Sequence, residues 1–195
     1  MDQTVAVIGL GYVGLPLAAA LSEHYPVLGY DVSERRVTEL KGGFDRTGEL
    51  DQDRLAQAVE KGLMITGELE AIRSAGVYIV TVPTPIDRQR QPDLSPLIGA
   101  STTVGQVLNR GDLVIFESTV YPGTTEEVCV PILEQTSGLV FNQDFLVGYS
   151  PERINPGDSH NSLTSIVKIT SGSTPQAAQQ VDALYQHIIS RSEEH

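Results

Sequence analysis

The sequence predicts an α/β protein: a doubly wound, mostly parallel sheet in a three-layer α/β/α arrangement. Three observations predict it. Short apolar runs rich in β-branched residues alternate with stretches of helical spacing along the 195 residues. Runs such as Val77–Val82 are apolar without alternation, which suits strands covered on both faces. The first run also leads into a glycine-rich turn that opens a helix.

The elements follow in order. Thr4–Ile8 reads as the first strand. Val13–Glu23 reads as a helix, with Leu17, Ala18 and Leu21 on one face. Val27–Tyr30 is a second strand, closed by Asp31. Ser33 is placed to cap a helix that runs to Lys41 and stops at Gly42-Gly43. Asp51–Lys61 is a helix, Leu63–Ile65 a short strand and Val77–Val82 a central one. Pro83–Pro92 is a proline-containing loop. Ser95 is expected to cap a helix with Pro96 in its first turn and Leu97, Ile98, Ser101, Val104 and Leu108 on one inward face. Leu113–Phe116 is a buried strand, followed by a helix over Thr124–Glu134. Phe145–Tyr149 and Ile166–Thr170 read as later strands, and Thr174–Ile189 as the last helix. Ser190–His195 reads as a polar tail.

Composition narrows the function. Thirteen basic against 25 acidic residues give a formal charge of −12, a poor basis for the basic face that nucleic acids require. An anionic membrane surface would also repel the chain. There is no basic leader before an apolar segment and no stretch near 20 apolar residues, so neither export nor a membrane span is expected. The single cysteine, Cys129, excludes an internal disulfide, and the simplest compartment is the cytoplasm. His24, His160, His187 and His195 lack metal-ligand spacing, so no metal is expected.

The turn Gly9-Leu10-Gly11-Tyr12-Val13-Gly14 has the G-x-G-x-x-G pattern in strand-to-helix context. In a Rossmann-like fold the first glycine permits the tight turn. The second lets a pyrophosphate approach the backbone, and the third lets helix and strand pack closely. Free N–H groups at the helix start then meet the phosphates. Asp31 lies about 20 residues on, where a carboxylate binds ribose hydroxyls and favours NAD over NADP. Arg35 and Arg36 pull the other way, because a nearby arginine can accommodate a 2′-phosphate. Two hydroxyl-rich loops, Thr81–Pro85 and Glu117–Thr125, fall at strand ends where ligands of such sheets bind.

With these residues in place, the chain resembles the UDP-glucose/GDP-mannose dehydrogenase family over essentially its whole length. The matching motifs are Gly9–Leu15, Asp31, Val80–Thr84, Glu117–Thr125 and Tyr149–Gly157. Tyr149–Asp158 and Arg110–Thr125 look like the branch that oxidises UDP-N-acetylhexosamines. They are especially similar to the UDP-N-acetylglucosamine 6-dehydrogenases of Vi-type capsular polysaccharide and O-antigen synthesis. The UDP-glucose branch has a Phe-Leu pair and a second Glu after the shared Glu, whereas Arg153, Ile154 and Pro156 stand here. That argues against UDP-glucose.

The resemblance implies a four-electron oxidation of a sugar C6 alcohol to the carboxylate with two NAD+. A cysteine thiolate traps the aldehyde, and water later cleaves the thioester. It further implies that Gly9, Gly11, Tyr12, Val13 and Gly14 cradle the pyrophosphate, while Asp31 and Arg36 hold the adenosine ribose. Val80, Thr81, Pro83 and Thr84 would line the adenosine side, and Ser118, Thr119 and Val120 would lie nearer the nicotinamide. Thr119 and Glu152 are the catalytic candidates, Thr119 for positioning and Glu152 for proton transfer or thioester hydrolysis.

The family's nucleophilic Cys, its catalytic Lys and Asn, the dimerising helix and the UDP-binding domain have no counterpart in residues 1–195. Cys129, between Val128 and Val130, reads as a core residue. The expectation is therefore an NAD-binding N-terminal domain that binds NAD without turnover, cut from a homodimeric enzyme whose UDP-N-acetylhexosamine sits mostly on another domain. Two alternatives stay open. One is another sugar of the same family (UDP-N-acetylgalactosamine, UDP-N-acetylmannosamine or UDP-glucose), and the other is a complete, non-catalytic NAD-sensing module.

Overall fold

A computed structural model describes residues 3–86, 92–152, 167–189 and 191–194. The elements are β1 (Val5–Ile8), α1 (Gly14–Leu21), β2 (Val27–Tyr30), α2 (Glu34–Lys41), α3 (Gln52–Glu60) and β3 (Leu63–Thr66). They continue with β4 (Val77–Val80), α4 (Ser95–Gly105), β5 (Leu113–Phe116), α5 (Val130–Ser137), β6 (Leu146–Tyr149), β7 (Val167–Gly172), α6 (Pro175–Tyr185) and β8 (Arg191–Glu194).

The strands form one sheet in the order β3-β2-β1-β4-β5-β6-β7-β8. Among the described residues, every pairing between these strands is parallel except β6–β7, which meet through Gly148↔Gly172 and Tyr149↔Ser171. The order reverses between β1 and β4, so a crevice opens there at the carboxyl ends of the strands.

Alternation along β1 shows why there are three layers. Val5 and Val7 join one core with Leu15, Leu21, Leu40, Leu55 and Val181, from α1, α2, α3 and α6. Ala6 and Ile8 point the other way and join Leu97, Val104, Val130 and Leu133, from α4 and α5. The central strands β1, β2, β4 and β5 bury both faces, which is why their runs carry no polar alternation, whereas the outer β3 exposes Met64.

Local chemistry sets most helix ends. Ser33, Asp51 and Thr174 cap α2, α3 and α6 by accepting the N–H of Arg36, Arg54 and Ala177. Ser95 is not the cap of its helix, and Ile98, one position off the buried Leu97–Ser101–Val104 stripe, is exposed instead of facing inward. Asp93 Oδ1 accepts the Ser95 N–H at 2.9 Å, because a carboxylate two residues upstream closes an Asx turn. The helix expected over Thr124–Glu134 is divided: Thr125–Cys129 is π-helical and α5 follows. Pro131, within the first turn of α5, has no N–H to continue the ladder and crowds the carbonyl four residues back.

The expected polar tail is also corrected, since Arg191–Glu194 forms β8, parallel to β7. The outer edge of β7 offers unpaired backbone groups, and α6 returns the chain to it as a βαβ unit, so backbone pairing overrides the polar composition. The start of the strand expected at Ile166, and the Arg153–Asp158 part of the shared motif, lie outside the described residues.

Candidate dinucleotide-binding site

A cavity of about 870 Å³ opens at the switch point. It is lined by the carboxyl ends of β1, β2, β4 and β5 and by the start of α4.

The glycine turn is built as its spacing requires. Gly9 has φ +95°, a left-handed conformation that disfavours other residues. A Cβ on Gly14 would lie 1.9 Å from the Gly9 carbonyl oxygen and 2.3 Å from Thr81 Oγ1, so only glycine lets α1 start this close to β1. A Cβ on Gly11 would meet nothing within 4 Å, and Gly11 borders the cavity. An open glycine at the head of a helix is what a pyrophosphate needs for close approach.

Asp31 stands at the end of β2. Its Oδ2 accepts the Leu10 N–H at 2.9 Å, and its Oδ1 accepts the Ser33 N–H at 2.9 Å. The carboxylate therefore braces the glycine turn while lining the cavity. Arg36 is only 5% exposed and is not among the lining residues. Its Nε donates to the Leu10 carbonyl at 2.7 Å, and Nη2 pairs with Asp45 Oδ1 at 2.8 Å.

The two hydroxyl-rich loops are tied to the frame and to each other. Thr81 Oγ1 lies 2.7 Å from Gly9 O and 3.1 Å from Ile8 O, so its single hydrogen serves the end of β1. Ser118 Oγ donates to Val82 O at 2.5 Å, and Thr84 Oγ1 donates to Thr119 O at 2.6 Å. Tyr12, Val13, Pro83, Thr84, Ser118, Thr119 and Glu152 all line the cavity. Gly14, Val80 and Val120 do not. Val80 is fully buried in β4, and Val120 packs partly against the α4/α5 core.

Beneath the far end lies a buried charged cluster that sequence reasoning did not single out. Glu117, which lines the cavity, is 1% exposed. Its Oε2 accepts from Lys168 Nζ at 2.6 Å, and its Oε1 accepts from the Tyr185 hydroxyl. Burial raises the Glu117 carboxyl; Lys168 opposes that, and the nearby Glu152 charge adds to it. Burial and the same carboxylate push the Tyr185 phenol well up. The Glu152 N–H donates to the Glu117 carbonyl at 3.1 Å, which sets Glu152 beside this cluster at the cavity wall. A legible signal existed: an acid closing one apolar strand and a lone lysine inside another. A buried lysine in such a strand needs a counter-ion.

Cys129 is fully buried, and burial pushes its thiol up to about 11, the environment of an inert core cysteine.

Residues 3–189 match the UDP-glucose/GDP-mannose dehydrogenase family, NAD binding domain. The chain belongs to this family. It is 59% identical to the UDP-N-acetyl-D-glucosamine 6-dehydrogenase of Salmonella typhi over 189 residues, 97% of this chain and 44% of that protein. It is 56% identical to the Pseudomonas aeruginosa protein of the same name, covering 96% of this chain and 44% of that one. The solved structure of a UDP-D-ManNAc dehydrogenase from Pyrococcus horikoshii superposes with a TM-score of 0.91 at 36% identity, over 98% of this chain and 46% of that one. The chain thus spans a little under half the length of these relatives. The family is one of NAD-binding domains, and the glycine geometry and the carboxylate closing β2 fit that cofactor.

Proposed function

We propose that this chain is the cofactor-binding half of an NAD-dependent UDP-N-acetylhexosamine 6-dehydrogenase acting on UDP-N-acetylglucosamine. The observation that carries this reading is that Thr119 and Glu152 line the same cavity as the glycine turn. A site that only stored NAD would have no use for a carboxyl at its far wall. The names of the two relatives above 55% identity support the sugar.

In this reading NAD+, when bound, supplies the hydride acceptor. The chain's own residues do the rest. The backbone around Gly9, Gly11, Tyr12, Val13 and Gly14 takes the pyrophosphate at the head of α1. Asp31 accepts the ribose hydroxyls with lone pairs not used by Leu10 and Ser33. Thr119 orients the sugar C6 oxygen or a water, and Glu152 moves the proton. Cys129 takes no part. The nucleophile and most sugar contacts belong to a second domain of the whole protein, which works as a cytoplasmic homodimer supplying uronic acid for a surface polysaccharide.

Calorimetric titration of this chain tests the first half of the reading. NAD+ binds one to one and more tightly than NADP+; equal or reversed affinity would sink the Asp31 argument. In the full-length enzyme, Glu152→Gln slows oxidation of UDP-N-acetylglucosamine far more than it weakens NAD+ binding. Unchanged turnover would remove Glu152 from the reaction.

A further inference from the structure

An arginine just past the acidic residue that closes β2 is the usual means by which this kind of site accepts a 2′-phosphate. Two arginines occupy that place here, and both are engaged elsewhere. Arg35 is exposed and pairs with Glu39 at 2.9 Å, a carboxylate that also takes Arg46. Arg36 is pinned inside. Its Nε is spent on the Leu10 carbonyl and its Nη2 faces Asp45, with side chains 6% and 0% exposed. Nη1 and Nη2 are both buried without a hydrogen bond, so the hold of Asp45 on Nη2 is that of an ion pair at 2.8 Å.

Asp45 is a prepared seat for that cation. It accepts the backbone N–H groups of Thr47, Glu49 and Leu50 at 3.0, 3.1 and 3.1 Å, together with the Thr47 hydroxyl. Burial pushes its carboxyl up, but the hydrogen bonds from Thr47 and Leu50, with the Arg36 guanidinium beside it, outweigh it and hold the group below the usual carboxylate range. The carboxylate is therefore fixed and charged at neutral pH, and the arginine is drawn to it.

The charge balance at this corner follows. Asp31, Arg36 and Asp45 together carry one net negative charge. Without Asp45 the corner is neutral and the guanidinium has only Leu10 to hold it. We propose that Asp45 is a specificity-determining residue: by neutralising and pinning Arg36, it denies a 2′-phosphate its cation and keeps the site selective for NAD+. The inference rests on the dinucleotide reading of the cavity. Asp45 acts through Arg36 and does not itself line the cavity.

A purely structural role for Asp45 would weaken both dinucleotides alike, whereas a role in selection changes their ratio. The test is calorimetric titration of NAD+ and NADP+ into wild type, Asp45→Asn, Asp45→Ser and the double variant Arg36→Met/Asp45→Asn. Serine retains an acceptor for the Thr47–Leu50 N–H groups if asparagine fits badly. The single variants should raise the NADP+/NAD+ affinity ratio about fivefold, the effect of one unscreened charge near a phosphate at high effective dielectric. The double variant should lose that gain. An unchanged ratio in a single variant with native circular dichroism overturns the proposal, as does a gain that survives loss of Arg36. Should both single variants unfold, Thr47→Val loosens the carboxylate without removing it; a smaller rise supports the proposal and an unchanged ratio overturns it. Wild type that binds neither dinucleotide sinks the proposed function and this inference together, while NAD+ binding with an unmoved ratio sinks this inference alone.

Discussion

Lys168 and Glu117 form an ion pair inside the sheet, 2.6 Å apart, with side chains 0% and 1% exposed. Lys168 lies on β7 and Glu117 just past β5, so the pair reaches across β6 and ties the antiparallel addition to the parallel core. Tyr185 of α6 closes the cluster from the helix layer, with the Lys168 ammonium 5.2 Å from its ring centroid. A carboxylate and an ammonium this deep repay their lost hydration only while both are present.

Lys168→Met therefore strands a buried carboxylate. Urea denaturation should show a loss of about 3–5 kcal/mol. The double variant Glu117→Gln/Lys168→Met should recover a large part of it, because no charge is left unpaired. A single-variant loss below about 1 kcal/mol would mean that Glu117 takes up a proton at little cost.

Two glycines of one turn should fail differently. Gly14→Ala places a methyl 1.9 Å from the Gly9 carbonyl oxygen, so the fold itself must give. Melting should drop by several degrees and NAD+ binding should disappear. Gly11→Ala has open space and should melt like wild type, yet bind NAD+ at least about tenfold more weakly because the methyl occupies the pyrophosphate's approach. Equal melting points for the two variants would contradict the packing derived for Gly14.

Asp112, at the opposite end of β5 from the cavity, has its carboxyl pushed from 3.8 to about 6 by burial, against the hydrogen bond it accepts from the Asn109 N–H. A raised folded-state value means that the folded chain holds the proton more tightly than the unfolded chain. The resulting stability is complete below pH 3.8 and is lost as pH rises through about 6. The contribution is on the order of 3 kcal/mol. Asp112→Asn, which keeps an acceptor for Asn109, should raise stability at pH 7 and flatten the pH dependence between 4 and 7. Parallel profiles for variant and wild type would rule this out.

Cys129 should resist a thiol reagent such as DTNB in the folded chain and react at once in urea. Cys129→Ala should leave NAD+ affinity within about twofold, because the residue packs between α4 and α5 away from the cavity lining.

Contiguous features were legible. The glycine turn, Asp31, the apolar strands and the cap at Ser33 depend on neighbours a few residues away, so spacing alone conveys them; Asp51 and Thr174 were read as helix starts and are the caps just before them. Helix ends were misread where a second local group competed, as at Asp93 before Ser95 and Pro131 inside an expected helix. Arg36 was legible as a cation beside the ribose position. Its partner was not, because Asp45 reaches it only after α2 has turned the chain back.

By itself the sequence determined the alternation of elements, the dinucleotide turn and the family, since each is written in short runs whose local geometry is nearly independent of context. The tertiary structure decided which charges are neutralised. Lys168 meets Glu117 across 51 residues, and Asp45 claims Arg36. It also decided that a polar tail becomes β8. Each of these depends on burial and on an open sheet edge, which exist only once the layers have closed.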